Sequence, residues 1–233
     1  MENSKIISIV ENFLENNAGE HAIELYRHYA DNPRDRPMMD LVEPSSIVEL
    51  AKMILDLKKE IALAEGKKAH GASFAKRSKL AEKITKGCIR PQLIGSYSCM
   101  VDGEKRQCFT NGYMAFAMSE PLLVPEMENP EDGLNLDKLF PGGWREFPVT
   151  SYDAGKIGAE WKMHKKDGCV VEFFGKFFDA KFFLDCVTVL GDDVTFYNIP
   201  DPLSASFFES KNGIALLMPV RKRDGYHVID GQS

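Results

Sequence analysis

The residues of this chain best suited to chemistry are cations gathered in one short stretch. Residues 67–90 hold Lys67, Lys68, Lys76, Arg77, Lys79, Lys83, Lys86 and Arg90 against a single acid, Glu82, a net of +7. Residues 1–65 carry a net of −6 and residues 91–233 a net of −7, so the formal charge of −6 conceals a basic block in acidic surroundings. Ammonium and guanidinium groups neutralise phosphates and release their counterions. Such contacts hold nucleic acid by its backbone and read no sequence. Lys76, Lys79 and Lys83 are spaced by three and four residues, which puts them on one side of a helix. Downstream, Lys156, Lys162, His164, Lys165 and Lys166 form a second cationic set, from which Lys162 and Lys165 join the DNA-binding candidates. The competing reading is a solvated helix face, which proteins also build from lysine.

Other chemistry finds little support. The sequence has no phosphate-binding glycine loop, no G-x-S-x-G and no H-E-x-x-H. His21, His28, His70, His164 and His227 are scattered, and no acid completes a metal set at ligand spacing. Asp192-Asp193 falls in an expected turn, where acids bond the local backbone. Cys88, Cys99, Cys108, Cys169 and Cys186 are odd in number and lack a C-x-x-C pair, so reduced, buried thiols are expected. We expect no catalytic residues, no metal and no cofactor.

These cations need elements to position them. Two prolines in DNPRDRP interrupt an otherwise helical N-terminal third, and Ser46 and Glu49 have capping-box spacing before a helix that ends near Gly66. The basic block predicts a helix from about Ser73 to Lys86, with Phe74, Leu80 and Ile84 inward and Gly87 as its stop. Period-two patterns then take over. Strands are expected at 93–101, 107–110 and 113–118, turning at Asp102-Gly103 and Asn111-Gly112. Residues 119–146 read as a proline-rich, acidic excursion with a short helix at 134–140. A strand at 147–150, a helix at 152–165, a strand at 169–174, a helix at 179–190 and strands at 194–199, 205–209 and 214–218 follow. The expected class is α+β: a helical N-terminal region (1–66), one domain of antiparallel sheet with helices on one side (67–223), and a frayed tail (224–233). No run reaches the roughly 18 apolar residues of a membrane span. The first residues lack the basic start and apolar block of a secretory signal. A cytoplasmic location is the resulting expectation.

Several stretches resemble the bacterial DNA polymerase III β subunit, the sliding clamp. FFGKFFDAKFFLDCVTVLGDDVTFYNIPDPLSASFFESKNGIALLMPVRK is similar to the end of a clamp chain, with its helix, its strands and its terminal M-P-x-R at Met218, Pro219, Val220 and Arg221. CFTNGYMAFAM resembles a clamp strand pair, with Asn111 where an acid is usual, and RPQLIGSYSCMVDGEKRQ resembles the strands after a clamp domain's first helix. The resemblance covers roughly residues 72–222. It implies a DNA-clamp-like domain whose basic helices face DNA, without catalysis or cofactor. It also implies DNA, replication proteins and a homo-oligomeric ring as partners, and a partner-peptide role for Met218, Pro219, Val220 and Arg221. A clamp chain carries three such domains, whereas 233 residues leave room for one. A reduced clamp of that kind would suit a phage or mobile element.

Two further readings compete with a DNA-binding, replication-accessory protein. One is a protein-interaction scaffold that keeps the clamp fold without binding DNA. The other is a small enzyme in the 119–146 excursion. Glu126, Glu128, Glu131 and Asp132 there have no histidine or glycine-rich company, which favours a solvated acidic loop.

Overall fold

The computed structural model describes residues 60–64, 72–88, 90–127 and 136–232. The helices expected in residues 1–59 therefore lie outside the described residues, as do Lys67 and Lys68. The elements below belong to one compact unit, Leu63–Ser233. Its helices are α1 (Ala72–Lys86), α2 (Ala154–His164) and α3 (Ala180–Leu190). Its strands are β1 (Tyr97–Val101), β2 (Glu104–Thr110), β3 (Met114–Met118), β4 (Cys169–Phe173), β5 (Lys176–Asp179), β6 (Thr195–Tyr197), β7 (Ser206–Ser210), β8 (Gly213–Leu217) and β9 (His227–Asp230). Among the described residues, no helix is long and apolar enough to cross a membrane.

Six strands form one sheet in the order β1-β2-β3-β8-β7-β6, with every neighbour antiparallel. Asp102 (φ 55°) and Gly103 (φ 77°) make the tight β1–β2 turn. A two-residue hairpin with left-handed backbone matches the twist of its strands. At the join of β3 and β8, a Cβ added to Gly213 would stand 2.4 Å from the Ala117 carbonyl oxygen. Only glycine lets the two backbones approach this closely.

The sequence MAFAM of β3 shows how the layers divide. All five residues are buried. Met114, Phe116 and Met118 join a core with Phe74, Ala81 and Ile84 of α1 and Phe183, Cys186 and Leu190 of α3. Ala115 and Ala117 point to the opposite face, where Leu136, Phe140 and Trp144 cover them. This alternation is the period of a strand buried on both sides. Within the 119–146 excursion, Leu136, Phe140 and Trp144 thus act as a covering layer, while Glu126 is exposed, as expected of an acidic loop, and Glu128, Glu131 and Asp132 lie outside the described residues. Trp144 stacks on Phe207 at 5.0 Å and meets Tyr197 edge-on at 5.1 Å. Within this layer the short helix expected at 134–140 is a 3-10 turn, Asp137–Leu139. The strand expected at 147–150 reduces to one bridge, Val149 to Tyr197.

A second sheet has the order β5-β4-β9. Phe174-Gly175 turns the chain into β5, in a stretch to which the sequence pattern assigned no element. The tail expected to fray after residue 223 instead forms β9, which pairs with β4 from Cys169↔His227 to Glu172↔Asp230. That pair is parallel, so antiparallel pairing describes the large sheet but not the whole unit. The cysteines of the large sheet bring a further correction. Cys99 and Cys108, on adjacent strands with Cα atoms 6.2 Å apart, form a disulfide. Cys88, Cys169 and Cys186 remain thiols.

The helices make one layer, with α3 packed between α1 and α2. Asp153 caps α2 by accepting from the Gly155 and Lys156 amides, and Asp179 caps α3 by accepting from the Phe182 amide. Each cap satisfies donors that a helix start would otherwise leave orphaned.

Candidate nucleic-acid interface

The helix α1 sorts its side chains sharply by face. Phe74, Arg77, Ser78, Ala81, Glu82, Ile84 and Thr85 are buried. Lys76, Lys79, Lys83 and Lys86 are exposed and line the other side. The rise of about 1.5 Å per residue spreads these four ammonium groups over roughly 15 Å of helix. Lys79, Lys83 and Lys86 border a shallow depression with Glu82 and Gly87. Lys86 Nζ lies 2.8 Å from Glu82 Oε1, one turn earlier, so part of its charge is already balanced. Arg90, beyond the end of the helix, is also exposed.

Arg77 departs from the expected set. It is 4% exposed; its Nε donates to the Val189 carbonyl at 2.8 Å and its guanidinium pairs with Glu120 at 3.0 Å. It ties α1 to the end of α3 and does not reach a ligand outside. The spacing of Lys76 and Arg77 offered no way to tell them apart, because the choice depends on where α3 packs.

Lys162, on α2, and Lys165, just after it, are exposed as well. Beside them the His164 ring stacks on His227 at 3.7 Å, and His227 Nε2 lies 3.2 Å from Glu160 Oε2. These contacts fasten β9 to α2. Among the described residues, no three His, Cys, Asp or Glu side chains cluster to hold a metal.

Between α1, α3 and the β2–β3 hairpin lies a groove of about 580 Å³. Leu80, Ile84, Leu93, Met114 and Phe182 supply apolar walls, and Lys83, Arg90 and Lys181 supply cations. Lys181 binds the Asp185 carboxylate one turn later. Burial pushes the Asp185 carboxyl above its ordinary range, and Lys181 pulls it back. The hairpin tip is tightly built. Asn111 Oδ1 accepts from the Tyr113 and Met114 amides at 3.0 Å, and Thr110 Oγ1 donates to the Met114 carbonyl at 2.7 Å. Gly112 takes φ 88° between them. The effect is to push Tyr113 out to 56% exposure with its ring stacked on Phe182 at 5.6 Å. The sequence reading located this hairpin but gave Tyr113, Lys181 and Phe182 no role. Their pairing joins distant elements, and no local spacing announces it.

The Met218–Arg221 segment runs past the same hairpin. The Met218 amide donates to the Tyr113 carbonyl at 2.9 Å, and the Val220 amide to the Phe177 carbonyl at 2.8 Å. Met218 and Arg221 are exposed, whereas Pro219 and Val220 are half-buried.

No family model matches the sequence and no curated protein matches it. One solved structure is similar in part, the DNA polymerase III subunit beta from Pseudomonas aeruginosa, at 14% identity and a TM-score of 0.32. The match covers 63% of this chain and 65% of that one, so this chain spans less than two thirds of that subunit. The likeness is a weak one of fold.

Proposed function

We propose that this chain is a non-catalytic, clamp-like DNA-binding protein that serves as a replication accessory and holds DNA through its phosphates. The observation that carries this reading is the sorting of α1. Every described lysine of the basic block faces out, while the one arginine within the helix is committed to the interior. A row of exposed ammonium groups on a packed helix has the charge and spacing to neutralise a run of phosphates. Lys76, Lys79 and Lys83 form its centre, Lys86 and Arg90 extend it, and Lys162 and Lys165 add cations on the neighbouring α2. Such contacts give weak sequence preference, because they stop at the backbone.

The test is retention of duplex and single-stranded DNA at low salt by wild-type protein and by a Lys76→Glu/Lys79→Glu/Lys83→Glu variant. The reading expects the wild type to bind both forms and the variant to lose most of that binding while keeping its melting temperature. A wild type without DNA affinity at low salt would leave the interaction-scaffold reading in its place, with Met218, Pro219, Val220 and Arg221 as the first surface to probe.

A further inference from the structure

We propose that the groove between α1, α3 and the β2–β3 hairpin is a stacking site for an unpaired nucleobase, with Tyr113 as its platform. The inference rests on the DNA-binding reading above and adds a ligand form that the lysine row alone does not select. Three observations carry it. The Tyr113 ring is backed on one side by Phe182 and is 56% exposed, which leaves aromatic surface for a further ring. The tip that holds it is fixed by the Asn111 and Thr110 side chains, so the platform is ordered before a ligand arrives. Lys83, Arg90 and Lys181 surround the groove, and Asp185, the one carboxylate among its described lining residues, is already engaged by Lys181. A flat aromatic face beside cations complements a base and its flanking phosphates, the combination by which proteins hold single strands. The volume, about 580 Å³, lies within the range of pockets that take small organic groups.

Lys83 belongs to both features. It stands in the exposed row of α1 and also lines the groove. A strand whose phosphates follow Lys76 and Lys79 reaches the groove at Lys83 and can turn one base inward toward Tyr113. A duplex keeps its bases stacked and meets the lysines alone. The continuity between row and groove favours a nucleic-acid strand over an acidic peptide, which would use the cations but gain nothing from the row.

The experiment compares a thymidine oligonucleotide of about 12 residues, an abasic strand of equal length and a duplex, by fluorescence anisotropy at low salt. Wild-type protein should bind the thymidine strand more tightly than the abasic one. Tyr113→Ala should remove that difference through a loss of roughly 5- to 100-fold for the thymidine strand. Tyr113→Trp should retain the preference, and duplex affinity should be the same in all three proteins. Equal binding of the thymidine and abasic strands by the wild type, or a preference that survives Tyr113→Ala, overturns the stacking site and leaves the lysine row standing. A groove that takes up an acidic peptide while thymidine and abasic strands bind alike also overturns it. Absence of binding to all three nucleic acids overturns the row and the groove together.

Discussion

The helices α1 and α3 lie against each other and use their surfaces in opposite ways. In α3, Ala180, Phe183, Asp185, Cys186, Val189 and Leu190 are buried, and its one basic residue, Lys181, is held by Asp185. In α1, one face is buried and four lysines line the other, which faces solvent. The helix α3 is a structural beam between two sheets, and α1 is half beam and half surface. The contrast teaches that charge in this fold is informative only once its burial is known. Arg77 and Lys76 are neighbours in sequence, yet Arg77 holds α3 in place and Lys76 is open to a partner.

The same contrast holds among lysines. Lys176 is 3% exposed and its Nζ donates to the Ile199 carbonyl at 2.9 Å and to Ser206 Oγ at 3.0 Å. Burial lowers its pKa to about 8, against a smaller raising effect from Asp201. It shapes stability, whereas the lysines of α1 are placed to shape binding.

The sharpest way to break the comparison is to cut into the beam. Phe183 is fully buried, with Phe173, Phe196 and Phe208 around it at centroid distances of 5.0–5.3 Å. Phe183→Ala should cost about 3–5 kcal/mol, read as a lower denaturant midpoint with an unchanged slope. A loss below about 1 kcal/mol would mean that α3 is not the centre of this core.

Arg77→Ala comes next. It removes the donor from the buried Val189 carbonyl and one partner from the half-buried Glu120, at a cost on the order of 1–3 kcal/mol. Lys76→Ala, one residue away, should shift stability by less than about 0.5 kcal/mol. Equal effects at the two positions would erase the distinction between the faces of α1.

Lys176 yields a pH-dependent prediction. Its folded pKa lies below its unfolded value, so between about pH 8 and 10.5 the unfolded chain binds more protons than the folded one. Stability should therefore rise with pH across that window as the penalty for burying the charge disappears. That penalty is fully present below about pH 8. The gain is on the order of 2–3 kcal/mol. Lys176→Met should flatten this rise in urea melts taken from pH 7 to 10.5. A variant whose stability follows the wild-type curve would show that burial does not depress the Lys176 pKa and that its ammonium stays charged across this range.

Much of this architecture was legible in the sequence. The spacing of Phe74, Leu80 and Ile84 located α1, and Asp102-Gly103 and Asn111-Gly112 marked the hairpins that became β1–β2–β3. What escaped notice depends on contacts between distant segments. HVID is four residues long and follows a charged stretch, and it becomes a strand only because β4 offers a parallel edge. Leu136, Phe140 and Trp144 sit among prolines and acids, which hid their common role over Ala115 and Ala117. At the candidate interface the lysines were legible as a row. Arg77 was misassigned, and Tyr113 went unassigned because Phe182 lies 69 positions away.

The central claim is that the exposed lysines of α1 contact phosphates. The most direct measurement is the dependence of duplex affinity on salt for wild type and for Lys76→Ala/Lys79→Ala/Lys83→Ala. Each phosphate contact contributes a slope of about −0.9 in the plot of log affinity against log salt. The account predicts a slope flatter by roughly three contacts in the variant, with melting temperature unchanged. Identical slopes in the two proteins would contradict it.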